Sequence, residues 1–396
     1  MVPLNLAILG TRGVPPRYGG FETFAAELGT RLVARGHRVS VYCRDTVIPS
    51  VARDPGGRGA DSGAPRPPGS LTDARDDSWN GIARIVVPAM QGKYFETVSH
   101  TFFSTVDALR RRFDAVLLCN AANAFVLPLL RAARIPVAIN VDGIERRRRK
   151  WNVAGKAVYA IGESFSAVFA DRVIADADVI ADYYRRTFAL DPLTIPYGAG
   201  FPDEEDSDVL ARIGVEPRRY LLYVSRFEPE NNPLEVVLAY EKLRHALSSN
   251  APPLVMLGAG LYAPELVAEL KRHESPSVRF PGALYGADYR TLQRNALIYI
   301  QATEVGGTHP ALIEAMGSGG CVVANDTPEN REVGGDAVGY FQLRPAETLS
   351  GMLREWSGSV QLRDSMRIAA RKRAAERYSW EAVTDAYEQL FASLCG

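Results

Sequence analysis

The chain has 396 residues, with 46 Lys and Arg against 46 Asp and Glu, 46% hydrophobic and 23% charged. At about 150 residues per domain this length predicts two or three domains, and a net charge of zero supplies no field for gathering a nucleic-acid backbone, so no nucleic acid is expected among the partners. No stretch approaches the roughly 20 uninterrupted apolar residues of a spanning helix, so the protein is expected to be soluble or at most to rest on a membrane. No Lys or Arg precedes the first apolar run, which ends at Gly10 and reads as a strand rather than a secretory signal. Cys43, Cys119, Cys321 and Cys395 lie far apart with no C-x-x-C spacing, which predicts reduced, buried thiols in a cytoplasmic protein.

Leu4–Leu9 leads through a glycine-bearing turn into Phe21–Val33, where Phe24, Leu28 and Leu32 recur every four residues. The spacing predicts strand, loop and amphipathic helix. Gly36 closes the helix and Val39–Cys43 is again strand-like, completing a βαβ unit with parallel pairing. Buried strands are predicted at Ala115–Cys119, Val137–Val141 and Val173–Ala175. Between Ser50 and Ser78 the composition turns to Gly, Pro, Asp, Arg and Ser, which cannot bury a core and predicts a mobile loop. After Pro192 the alternation restarts, with strands predicted at Tyr220–Val224, Leu254–Leu257, Val278–Phe280, Leu297–Ile300 and Cys321–Ala324. Trp380, Val383, Tyr387, Leu390 and Leu394 then fall at helical spacing. The reading is α/β, with two doubly wound Rossmann-like domains facing across a cleft, because ligands bind such sheets outside the carboxyl ends of their strands.

The first loop, Gly10 to Glu22, is neither G-x-G-x-x-G nor a P-loop, since Pro15 and Pro16 occupy the dinucleotide turn and no G-K-[ST] follows. Gly19 and Gly20 open a helix whose free N–H groups suit a phosphate oxygen, or serve only for close packing. In the second half, Gly306-Gly307-Thr308-His309-Pro310 follows a strand and leads into Ala311–Met316, with Glu314 one turn in. A carboxylate there offers two oxygens to the hydroxyls of a ribose. Arg226, at the end of another strand, can clamp a diphosphate and neutralise a phosphate leaving group, or pair with Glu228 or Glu230 on the surface. Asp176-Ala177-Asp178 spells D-x-D, but acidic turns are common beside strands and no metal is expected. Glu145 to Trp151 carries five successive cations, Arg146 to Lys150, which cannot share one helical face. They read as a solvated helix start, or as an attraction to anionic headgroups or an acceptor diphosphate.

These pieces together resemble a GT-B glycosyltransferase of family four, in the rhamnosyltransferase-like branch of bacterial polysaccharide enzymes. The matching stretches are Gly10-Thr11-Arg12-Gly13 with Tyr18-Gly19-Gly20-Phe21-Glu22-Thr23, Thr97-Val98-Ser99-His100-Thr101, Asn140-Val141-Asp142-Gly143, Arg226 to Asn232, and Val305 to Pro310 through Glu314-Ala315-Met316. The resemblance implies an acceptor domain over 1–190 with a crossover helix in 376–396, and a donor domain over 191–375. It also implies transfer with retention, in which a leaving phosphate oxygen takes the acceptor proton and no protein nucleophile is needed. Donor binding would fall to Gly19, Gly20, Arg226, Asn231, Gly258, Leu284, Gly306, Gly307, Thr308, His309 and Glu314. Acceptor binding would fall to Arg17, Tyr18, Glu22, His100 and Asp142, with Asp142 and Arg226 as catalytic residues.

The chain departs from the wider family at Gly306, where a first glutamate stands, at Asn231, where a lysine is usual, and at Asp142, where a histidine is common. The branch shares the first two departures, which implies an altered donor geometry. The expected donor is dTDP-rhamnose or otherwise a UDP-hexose, with no cofactor beyond the sugar nucleotide. The expected acceptor is a glycan or a lipid-diphosphate-linked sugar, with peripheral contact to an anionic membrane through Arg146–Lys150. A sugar-nucleotide binder without catalysis, an epimerase and a phosphorylase are the alternatives.

Overall fold

The computed structural model describes residues 2–16, 19–44, 75–90, 95–149, 151–201, 207–260 and 263–396. The chain divides into two compact units, Met1–Asn140 with Phe165–Arg172 and Glu388–Gly396, and Val141–Ser164 with Val173–Tyr387. Asp142 and the arginine run thus belong to the same unit as Arg226 and Glu314.

In the first unit the order is β1 (Asn5–Leu9), α1 (Gly20–Ala34), β2 (Arg38–Arg44), β3 (Arg75–Trp79), β4 (Ile82–Val87), α2 (Phe95–Ala108), β5 (Ala115–Cys119), α3 (Leu127–Ala132) and β6 (Val137–Asn140). Its strands lie in the order β3-β4-β2-β1-β5-β6. All pair in parallel except β3, which runs antiparallel to β4. Every residue of β5 and β6 is buried, as expected of strands covered on both faces. Phe24, Leu28 and Leu32 of α1 face inward at 1% exposure or less. The sequence places Ser50–Ser78 in a loop, yet Arg75–Trp79 forms an edge strand in register with β4. That strand is polar because an edge strand keeps one side in water, so it carries no apolar run to betray it. The remainder of that expected loop, 45–74, lies outside the described residues.

The second unit contains β7 (Arg172–Ala175) from Val173 on, α5 (Asp178–Phe188), β8 (Leu193–Thr194), α6 (Val209–Ile213), β9 (Leu221–Val224), α7 (Pro233–Leu247), β10 (Leu254–Leu257), α8 (Pro264–Lys271), β11 (Val278–Gly282), α9 (Gly286–Asn295), β12 (Ile298–Gln301), α10 (Pro310–Gly317), β13 (Val322–Asn325), α11 (Pro328–Gly334), β14 (Gly339–Phe341), α12 (Ala346–Gly358) and α13 (Val360–Arg377). The helix α4 (Val153–Phe169) precedes these, and α14 (Trp380–Cys395) closes the chain. An all-parallel sheet runs β11-β10-β9-β12-β13-β14. Tyr223, Met256, Ile300 and Val323 of its strands pack with Val236, Leu243, Leu353 and Trp356 into one core.

The order of that sheet decides where a ligand can sit. From β9 the chain winds outward through β10 to β11, then returns to lay β12 on the other side of β9. The loops after β9 and β12 therefore diverge, which opens a crevice at the switch point of a doubly wound sheet. All four thiols are free; Cys43, Cys119 and Cys321 are buried as expected, whereas Cys395 is exposed at the end of α14. No helix among the described residues is long and apolar enough to cross a membrane.

Candidate functional site

The loop after β9 carries Arg226, whose side chain is 38% exposed. Behind it, the Asn231 side-chain amide donates to the Arg226 carbonyl at 2.7 Å, and the Tyr223 hydroxyl donates to the Asn231 carbonyl at 2.7 Å. Asn231 is buried and serves as a brace for the arginine's backbone. Asn232 takes a left-handed conformation (φ 56°) and donates to the Ala302 carbonyl at 2.9 Å, tying this loop to the one after β12. Gly258, just past β10, has φ 153°, and a Cβ there would stand 1.9 Å from the Ser225 carbonyl oxygen, so only glycine permits this approach. Its N–H donates to the Gly282 carbonyl at 3.0 Å. Leu284 follows two residues later and is half-buried.

After β12 the chain turns through Gly306, Gly307, Thr308 and His309 into α10. Leu312, Ile313, Ala315 and Met316 are buried, which leaves Glu314 half-buried on the remaining face. One Glu314 oxygen accepts from the Tyr289 hydroxyl at 2.6 Å, and that hydroxyl accepts from Gln293 at 2.9 Å. The carboxylate is thereby held in one orientation. The His309 Nδ1 lies 3.0 Å from Asn330 Oδ1, while Asn330 Nδ2 donates to the Asn325 carbonyl at 2.9 Å. The amide is thus oriented with its oxygen toward the ring, so Nδ1 carries the hydrogen. Burial and then the nearby charge of Arg148 push the imidazole down to about 4, so it is neutral at pH 7.

Asp142 has φ 56° and accepts from the Tyr197 hydroxyl at 3.4 Å. Burial, then the charge of Glu145, raises its carboxyl to about 6, against the opposing pull of Arg148 and Arg226. Within the arginine run only Arg148 is buried among the described residues. Arg148 is 8% exposed and reaches Glu145 at 2.5 Å, Glu228 at 3.6 Å and Glu230 at 3.8 Å. Glu228 in turn lies 3.7 Å from Arg226. Burial alone would lower the Arg148 guanidinium, but these carboxylates and Asp142 outweigh it and raise its pKa. Arg146 pairs with Glu163 at 3.1 Å and donates to the Tyr183 hydroxyl at 2.5 Å; Arg149 pairs with Glu304. Arg147 is exposed, and Lys150 lies outside the described residues. Three of the five cations read as a solvated or lipid-facing run are therefore committed to partners within the unit.

The first unit offers a smaller charged group behind the loop after β1. Gly19 caps α1 with its carbonyl accepting from the Glu22 and Thr23 amides, and Gly20 is the first helical residue. Glu22 is buried and accepts from the Arg12 N–H at 3.2 Å; burial raises its pKa, partly offset by Arg12 and Arg44. Arg44 reaches Glu96 at 3.0 Å and Thr97 at 3.1 Å. His100 has no exposed surface; burial, then Arg44, pushes it down to about 3, against the opposing pull of the Cys43 backbone. Arg17 and Tyr18 lie outside the described residues. Among the described residues no group of three or more His, Cys, Asp or Glu could hold a metal ion.

Comparison with known proteins matches residues 19–198 to the glycosyl transferase 4-like domain and residues 211–373 to the glycosyl transferases group 1. The chain is a GT-B glycosyltransferase. Solved structures of the same fold include sucrose-phosphate synthase from Thermosynechococcus elongatus, with TM-score 0.76, 17% identity, and 98% of this chain covered against 100% of that one. Anabaena HepE in complex with UDP-glucose gives TM-score 0.75 and 14% identity over 98% and 100% of the two chains. An α,α-trehalose-phosphate synthase (UDP-forming) from Burkholderia vietnamiensis gives TM-score 0.69 and 9% identity over the same shares. No curated protein sequence matches the transferase.

Several residues of this site escape sequence reasoning. Arg148 looks like one cation of a solvated run, and its burial depends on Glu228 and Glu230, far along the chain. Asn330 and Tyr289, which orient His309 and Glu314, carry no motif of their own. Asp176 carried a signal, the D-x-D spelling, but its partner in the fold is a backbone amide of the loop after β12.

Proposed function

We propose that this transferase moves a sugar from a nucleoside diphosphate to a hydroxyl of a glycan or lipid-diphosphate-linked acceptor, with retention, in polysaccharide synthesis at the inner face of the membrane. L-Rhamnose from dTDP-rhamnose is the first-choice donor and a UDP-hexose the second. The observation that carries the reading is the oriented Glu314 carboxylate, held by Tyr289 one turn into α10, on the loop that leaves β12 at the switch point. A carboxylate held in one orientation presents several lone pairs in fixed directions, which suits the hydroxyls of a ribose. Arg226, on the other loop of that crevice, supplies a guanidinium for the diphosphate, and the positive end of the α10 dipole adds to its field. Together they stabilise the charge that grows on the departing phosphate. Asp142 lies within reach of the fields of Arg226 and Arg148 and is assigned to orient the acceptor or balance the developing positive charge on the sugar. A leaving phosphate oxygen takes the acceptor proton on the same face, so no cofactor is called for beyond the sugar nucleotide. The UDP-glucose bound by HepE supports a nucleotide-sugar ligand for this fold.

A binder without turnover is the second reading, favoured by Asn231, whose amide is used up in bracing Arg226. The two are separated by melting curves against nucleoside diphosphates and their sugars, coupled to release of free diphosphate with a pool of lipid-diphosphate acceptors, on wild type and Glu314→Ala. A donor-selective rise in Tm with turnover, both weakened in Glu314→Ala, establishes the transferase and names its donor. No rise with any nucleotide overturns the assignment of the second unit.

A further inference from the structure

Asp176 follows β7, has no exposed surface, and takes no part in the chemistry above. Its Oδ2 accepts from the Thr308 N–H at 2.7 Å, and its backbone carbonyl accepts from the Thr308 hydroxyl. Its Oδ1 has no hydrogen-bond partner. A Cβ on Gly307 would stand 2.1 Å from that same oxygen, so the loop lies against the carboxylate as closely as a glycine allows. From the other side, a Cβ on Gly143 would stand 2.7 Å from the Gly307 nitrogen and 2.6 Å from the Gly306 carbonyl carbon. The segment Asp142-Gly143 and Asp176 thus grip one short stretch, Gly306 to Thr308, immediately before α10.

We propose that Asp176 is a positioning residue for the donor: through Thr308 and Gly307 it fixes the loop that aims the α10 N-terminus and Glu314 at the sugar nucleotide. This rests on the donor assignment above. A buried carboxylate with one oxygen bonded to a backbone N–H of a glycine-rich turn and the other oxygen without a hydrogen-bond partner is costly unless the turn must hold a single shape. Without the tether, the backbone of two glycines has more conformations to lose on binding. The loop also lies against titratable groups. Asp176 faces Asp142 and Glu332, and Asp142 faces Glu145, Arg148, Arg226 and the Tyr197 hydroxyl. Both carboxyls are raised, first by burial and next by a neighbouring carboxylate, so deprotonating the pair puts two like charges against the loop.

The test uses Thr308→Val, Thr308→Ser, Asp176→Ala and Asp176→Asn, each scored by Tm without ligand and by KM and kcat for the donor from pH 5 to 8. Thr308→Val is expected to remain folded with donor KM raised about tenfold, the scale of one lost buried hydrogen bond, and Thr308→Ser to restore it. Asp176→Asn, which keeps an acceptor but no charge, is expected to flatten the pH dependence of donor KM between pH 5 and 7. If Asp176→Ala fails to fold, Thr308→Val, which removes the bond to the Asp176 carbonyl, and Asp176→Asn, which removes the side-chain charge, decide together. Folded Asp176→Ala with wild-type donor KM and kcat overturns the proposal and leaves Asp176 as packing alone; so do, where Asp176→Ala does not fold, wild-type values at every pH in both Thr308→Val and Asp176→Asn. Wild type that neither binds nor turns over any sugar nucleotide is a different result, and it overturns the functional reading itself.

Discussion

Arg148→Met is the sharpest test of how the second unit is held together. The guanidinium lies 2.5, 3.6 and 3.8 Å from Glu145, Glu228 and Glu230, and Glu230 has no exposed surface and no hydrogen-bond partner on either oxygen. At 3.8 Å and an effective dielectric constant near 20, one such pair is worth about 4 kcal/mol before desolvation. Breaking a buried pair by removing one partner costs roughly 3–5 kcal/mol, because the remaining charge is stranded. For a unit of this size about 1 kcal/mol moves the midpoint by ~2–4 °C, so Arg148→Met should lower the Tm of the second unit's transition by roughly 10 °C at pH 8. The deficit should shrink toward pH 5, because a stranded carboxylate escapes by binding a proton. Adding Glu230→Gln should recover part of the loss. Calorimetry at pH 8 and pH 5 resolves this without assuming a single transition for the whole chain. A Tm within 2 °C of wild type at pH 8, or a deficit that does not change with pH, would refute the counter-ion role.

Three further outcomes are expected. Gly307→Ala places a Cβ 2.1 Å from the Asp176 carboxylate; neither side can yield freely, and thermal melts should show a loss of about 1–3 kcal/mol. Glu314→Gln keeps the Tyr289 contact but not the charge, and titration with a nucleoside diphosphate should show binding weakened by roughly tenfold, since charge-assisted bonds to hydroxyls are about twice as strong as neutral ones. His100 is held neutral down to about pH 3 by burial and then Arg44. Its folded pKa lies below the ordinary histidine value of about 6.5, so the unfolded chain binds more protons and His100 withdraws stability as pH falls below that value. From pH 6.5 to 5 the withdrawal is about 2 kcal/mol, partly masked by Glu22, whose raised pKa acts in the opposite sense. Denaturant midpoints of His100→Phe against wild type at the two pH values isolate the histidine, and an unchanged difference would discard its role.

Strands buried on both faces are legible because apolar runs have no other use at that length. Ala115–Cys119 and Leu254–Leu257 fall where the apolar pattern puts them, whereas Arg75–Trp79 is invisible to it, since an edge strand is chosen for charge and not for burial. The helix starts after β9 and β12 are legible for a different reason. Pro233 and Pro310 each occupy the first helical turn, where a missing N–H costs nothing. Glu314 and the glycines between β12 and α10 are legible from the helix start at Pro310, whereas Arg226 is legible from its place at the end of a strand.

What sequence does not carry is which charges meet. Asp142, Arg148, Asp176, Glu228, Glu230 and Thr308 come from five separate stretches, and nothing in any one stretch shows which of the others it meets. Arg148, one cation of a run that reads as solvated, is a buried counter-ion, and Asp176, one acid of a turn, bonds to the loop after β12. The same geometry explains why glycines cluster here. Gly143 and Gly307 leave no room for a Cβ between the carboxyl-bearing segments and the loop they hold. If those glycines existed only for phosphate access, their open sides would face solvent; instead Gly307 faces the Asp176 carboxylate and Gly143 faces the backbone of Gly306 and Gly307. Rigidity of the loop, set by a carboxylate and two glycines, is thus part of the site in the same sense as Arg226 or Glu314.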